Sequence, residues 1–163
     1  MLNFRTIFLF LHIIAAGIWI AQIVVALVFN RLIRANADKP AGVTLMMAEV
    51  RLLGVLGSVG GPGILLTGLG LLATDRLGFL GIGGITPPWL MIKQIVYIIL
   101  LVIVFAVIMP TARRLHTQFE ATLGSSALIT LEMSALHRRL VMISYLHDAL
   151  VIFNIFMAVA KFG

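Results

Sequence analysis

The run Thr6 to Asn30, TIFLFLHIIAAGIWIAQIVVALVFN, decides the reading of this chain. It is apolar almost throughout and carries no formal charge. At about 1.5 Å of rise per helical residue it is long enough to cross a hydrocarbon layer about 30 Å thick. One imidazole, His12, sits inside it. An ionisable side chain within such a span needs a partner or a function. The remaining sequence reads as the walls around His12.

The composition agrees with a membrane span. The 163 residues are 61% hydrophobic and 11% charged, with a mean hydropathy of +1.14. That leaves too little polar surface for a water-soluble domain and predicts a single integral membrane domain over residues 1–163. A formal net charge of +6 fits loops facing anionic headgroups rather than nucleic acid. The lipid bilayer is the expected partner, and subunits of a membrane complex or further copies of the chain are the protein partners open to it. There is no cysteine, which excludes disulfides, thiolate metal sites and iron–sulfur clusters. Arg5 precedes an apolar run longer than a signal-peptide core, without an A-x-A-like exit, so the run reads as a retained span.

Outward from that run, helix one begins near Asn3 to Thr6 and continues past the membrane to Arg34. The stretch ANADKP, 35–40, breaks it, and Pro40 suits the first position of the next helix. Helix two carries Glu49 and Arg51 near its start and is charge-free from Leu52 to Thr74. Gly54, Gly57, Gly61 and Gly68 are expected to share a packing face, and Pro62 to kink the helix. A glycine-rich connection, DRLGFLGIGGITPP, lies in or dips into the interface; no strand precedes it, so it does not read as a nucleotide loop. Trp89 to Met109 form a third span with Lys93 in its first turns, continued as a helix beyond Pro110. LGSSA, 123–127, is a turn. The last helix starts near Ser126, enters the membrane near Leu140 and ends near Ala160.

The fold class is therefore all-α: a four-transmembrane-helix up-down bundle with helices extending into the cytoplasm, its spans at about 6–30, 52–74, 89–109 and 140–160. Arg31, Arg34, Lys39 and Arg51 flank one connection, and Arg113, Arg114, Arg138 and Arg139 another. The positive-inside rule puts these in the cytoplasm and both termini outside, in an inner (cytoplasmic) membrane.

His12 is expected about two turns inside the outer surface, either bonded to a neighbouring helix or serving as a ligand; neutral imidazole is a common axial ligand of haem iron. Lys93 enters at a similar depth, either snorkelling to the headgroups or turned inward, where a neutral amine can ligate a metal. His147 falls about 10 Å deeper than His12, so these two histidines fit poorly as ligands of one iron. Asp148 is expected to pair with Arg51, Arg138, Arg139 or a hydroxyl, or with His147 to form a proton path or a second polar site. Glu49 and Arg51 read as a solvated or ion-paired helix end or, with Arg51 turned inward, as a bidentate clamp on a propionate. His116 and His137 sit in the extensions and call for no special role. The methionines are scattered, with only Met46 and Met47 adjacent, a weak basis for a copper site.

His12 with Trp19 seven residues on, MAEVRL at 47–52, Pro62, TGLGLL at 67–72 and PWLMIK at 88–93 together resemble a four-helix membrane superfamily. It includes the HemJ-type protoporphyrinogen oxidases and the CopD-like copper-resistance proteins. The likeness covers the first three spans. It implies haem b associated with His12 and Lys93, His12 as a ligand and Lys93 as the second ligand or a propionate holder; Trp19 and Arg51 are the further cofactor-binding candidates. It also implies a membrane redox protein or a small subunit of an electron-transfer complex. In place of the Asn-Glu-x-Pro-like motif of the HemJ fourth span, this chain has Tyr145-Leu146-His147-Asp148. The alternatives are a cofactor-free structural accessory subunit and a CopD-like copper-handling protein.

Overall fold

The computed structural model describes residues 3–122 and 128–160. Five α-helices account for nearly all of them: α1 Phe4–Ala35, α2 Pro40–Asp75, α3 Pro88–Ile103, α4 Met109–Thr122 and α5 Leu131–Ala160. A single π-helical turn, Val104–Ile108, joins α3 to α4, so Pro88–Ala121 is one continuous rod. Four helices are then long and apolar enough to cross a membrane. The expected all-α four-helix bundle is the observed fold. Expected strand-free architecture holds among the described residues, where only isolated bridges occur.

Local chemistry sets the helix ends. Asn3 caps α1, its side chain accepting from the Thr6 amide at 2.8 Å, and this satisfies one donor that the first turn leaves free. Pro40 opens α2, where its missing N–H costs nothing. Helix α5 starts at Leu131 rather than near Ser126, because Thr130 Oγ1 caps it by accepting from the Met133 amide at 3.1 Å. The LGSSA turn lies outside the described residues. The π turn ends two residues ahead of Pro110. A widened turn there accommodates a residue that cannot donate to the ladder.

α1 and α2 form a tight antiparallel hairpin, and each step along α1 is matched by a step of three or four residues back along α2. A methyl added at Gly60 would meet the Trp19 backbone nitrogen at 3.3 Å, one at Gly63 the Ala15 Cβ at 3.0 Å, one at Gly70 the Phe8 ring at 2.5 Å. Small residues let two backbones approach where lipid tails offer no hydrophobic drive. The expected glycine face was Gly54, Gly57, Gly61 and Gly68. The observed one runs through Gly57, Gly60, Gly63, Gly68 and Gly70, while a Cβ at Gly54 or Gly61 meets nothing within 4 Å. The ion pair Arg5–Asp75, at 2.8 Å, closes the far end of the hairpin.

α3 packs along α5, and the two hairpins meet through α1 with α5 and α2 with α4. Two cores result. Trp19, Val96, Tyr97, Leu100 and Val151 fill the middle of the spans. Ile33, Met46, Leu115, Phe119, Met133 and Leu140 fill the end where α1 turns into α2, α4 ends and α5 begins. Four of the five largest fully buried side chains, Phe119, Met46, Leu115 and Met133, belong to this second core. The helical extensions thus cohere by apolar burial of their own. In the spans, Phe10, Ile13, Val24, Val55 and Phe105 point outward, as lipid contact allows.

Loop 76–87 folds back on itself through bridges Leu77–Ile85 and Phe79–Ile82. Gln94 of α3 holds it: Leu80 N–H donates to Gln94 Oε1 at 2.6 Å and Gln94 Nε2 donates to the Gly78 carbonyl at 3.1 Å.

Candidate functional site

His12 lies on the α1 stripe that also carries Phe8, Ala15 and Trp19, and it faces α2. Its Nδ1 is 2.8 Å from Thr67 Oγ1. The Thr67 hydroxyl is 2.6 Å from the Gly63 carbonyl and 3.4 Å from that of Ile64. A hydroxyl has one proton, and the shorter contact claims it for Gly63. Thr67 Oγ1 is then an acceptor toward His12, so Nδ1 carries the ring proton and Nε2 keeps its lone pair. The tautomer follows from the hydrogen-bond network. Gly68 lies beside the ring: a Cβ there would stand 3.6 Å from His12 Cε1. Along α2, Thr67 is eight residues from Asp75, which puts the pair about 12 Å inside the Arg5–Asp75 end.

Lys93 of α3 is half-buried, next in sequence to Gln94, which holds loop 76–87. Trp19 is seven residues from His12 on α1, about 10 Å further in. It belongs to the central core, 6.0 Å from the Tyr97 ring and 5.3 Å from that of His147, which it meets edge-on at 75°. Gln22 accepts from Trp19 Nε1 and from the Gly57 amide, each at 3.3 Å, when its amide is oriented to satisfy both. Tyr97 donates to the Gly61 carbonyl at 3.0 Å, bracing α2 next to Pro62.

Arg51 is not at this level. It is sixteen residues from Thr67 on the same helix, about 24 Å away, so Arg51 and His12 do not share one site. His147 is likewise separate, packed against Trp19 rather than His12, as its depth implies. Asp148 does not pair with Arg51, Arg138 or Arg139; its Oδ1 is 3.2 Å from His147 Nδ1, its neighbour in sequence. His147 Nε2 and Asn154 Oδ1 are buried without partners among the described residues.

Sequence reasoning missed three pairings. Glu49 and His137 are not solvated helix ends: Glu49 Oε2 and His137 Nε2 are 2.6 Å apart, both side chains buried between α2 and α5. Asn30 Nδ2 donates to Tyr145 Oη at 3.2 Å, joining α1 to α5. Thr67 as the His12 partner was within reach. Reflected through the 36–39 turn, His12 falls within about a turn of Thr67, the sole hydroxyl between Ser58 and Thr74.

Among the described residues no three His, Asp or Glu side chains converge into a set that could hold a bare metal ion. Comparison with known proteins finds no matching family model, curated sequence or solved structure.

Proposed function

We propose that this chain is a haem-b-binding membrane redox protein, or a small electron-transfer subunit of a larger membrane complex, in which His12 would hold the iron through Nε2. The observation that carries this reading is the Thr67 acceptor on His12 Nδ1. A metal-binding histidine almost always donates its other ring N–H to a fixed acceptor, which sets the tautomer and orients the ring. The donor set also suits haem better than a bare ion. A porphyrin supplies four nitrogens itself, so one imidazole and one amine suffice. A bare copper or zinc site needs three or four protein donors, which disfavours the CopD-like copper reading.

Haem would supply one-electron transfer. The residues' own tasks are narrower. Thr67 holds the ring and its proton at Nδ1, Gly68 leaves the ring's flank clear, and Lys93 either completes the ligand pair or holds a propionate by charge. Trp19 closes the core one level further in. By the positive-inside rule the end carrying Arg31, Arg34, Arg113 and Arg138 faces the cytoplasm, which puts this site nearer the outer face of the inner membrane. An absorption spectrum of the purified protein tests the reading: a Soret band is expected, and a colourless protein after growth with ample haem contradicts it.

A second reading treats the His12–Thr67 bond as a plain staple between α1 and α2 in a cofactor-free accessory subunit. The way the bond ties α1 to α2, within the register of the close-packed hairpin, supports it. Co-purification of a colourless chain with a larger membrane complex would select that reading.

A further inference from the structure

An open groove of about 480 Å³ runs between α2 and α4, lined by Arg51, Gly54, Val55, Ser58, Ala112, Arg113 and His116. The two helices cross from charge-free to charged sequence side by side within it. On α2, Arg51 is the last charged residue before the uncharged stretch Leu52–Thr74. On α4, Arg113 is the first after the uncharged stretch Gln94–Ala112. The groove therefore straddles the level where hydrocarbon meets headgroups, with Arg51, Arg113 and His116 at the polar end and Gly54, Val55, Ser58 and Ala112 at the apolar end.

We propose that this groove binds one anionic phospholipid, its phosphate between Arg51 and Arg113 and an acyl chain along Gly54 and Val55. The order of chemistry along the groove is that of the lipid: cations first, then apolar wall. Arg51 and Arg113 are exposed and form no ion pair among the described residues. The nearby carboxylate, Glu120, is turned to His116 at 3.5 Å. The missing side chain at Gly54, where a Cβ would meet nothing within 4 Å, leaves a slot for a chain. Guanidinium groups recognise phosphate oxygens bidentately, and basic residues at the membrane surface attract acidic lipids.

Native mass spectrometry of the full chain in detergent, titrated with dioleoyl phosphatidylglycerol or dioleoyl phosphatidylcholine, tests this. One phosphatidylglycerol per chain is expected, with about a tenfold preference over phosphatidylcholine. Arg51→Gln with Arg113→Gln should abolish the preference. Arg138→Gln with Arg139→Gln, which removes the same charge elsewhere, should keep it. Val55→Trp, at a side chain 60% exposed, should block binding with both arginines intact. Equal loss in the two arginine pairs would reduce the effect to diffuse surface charge and overturn the proposal. So would full binding in Val55→Trp, or displacement of the lipid by soluble glycerol phosphate, which would mark a free-anion site. Should the double arginine variant fail to fold, Val55→Trp decides alone.

Discussion

His12 and Thr67 are joined across the α1–α2 hairpin at 2.8 Å, with the threonine hydroxyl committed as donor to its own helix. That commitment puts the imidazole proton on Nδ1 and leaves the lone pair on Nε2.

Thr67→Val keeps the shape and removes the acceptor. The Nδ1–H is then stranded, at a cost of about 1–3 kcal/mol. Thr67→Ser restores the acceptor and should recover most of the loss. Denaturant or thermal unfolding of the purified protein measures both. Equal stability of the valine and wild-type chains would mean that the bond contributes nothing.

The glycines of α2 should divide into two classes. Gly60→Ala places a methyl 3.3 Å from the Trp19 backbone nitrogen, which cannot swing aside, and should cost about 1–3 kcal/mol by splaying the hairpin. Gly61→Ala meets open space and should be neutral or stabilising by about 0.5–1 kcal/mol through helix propensity. Paired melting curves check the contrast; the reverse order would contradict the hairpin register.

Glu49 and His137 bury a polar pair inside the core of the helical extensions. Removing either partner alone leaves the other buried and unpaired, and should cost about 3–5 kcal/mol. Replacing both with apolar residues, Glu49→Met and His137→Leu, should recover much of that. A double-mutant cycle by unfolding reads the coupling directly.

Gln94 holds loop 76–87 through two backbone bonds. Gln94→Leu should speed hydrogen exchange at the Leu80 amide and expose the loop to proteases, with little change at the Glu49–His137 end. Unchanged exchange at Leu80 would show that the loop's own bridges suffice.

Much of the fold was legible because lipid simplifies the code. A span must satisfy its own backbone and show apolar side chains to the membrane, so the runs around His12, Gly61, Tyr97 and Val151 announce four helices. Asn3, Pro40 and the ANADKP break mark ends by local chemistry. The start of α5 was misplaced because Ser126 and Thr130 are both capping residues and nothing local ranks them. Of the expected glycine face, Gly57 and Gly68 meet α1 and Gly54 and Gly61 do not, because periodicity alone does not say which side of α2 meets α1. The bond partner of His12 follows from hairpin register, which the short turn sets. The Glu49–His137 pair does not, since it joins elements 88 residues apart whose docking depends on the whole bundle. Helix rise separates Arg51 from His12 by about 24 Å whichever way it points, a distance that spacing along one helix already shows.

The most direct test is the haem content of the purified chain, read from its optical spectrum for wild type and His12→Ala. About one haem per wild-type chain is expected, bound through a histidine-ligated iron, with loss or marked shift of the Soret band in His12→Ala. A wild-type chain without haem, or a spectrum and haem content unchanged in His12→Ala, would contradict it.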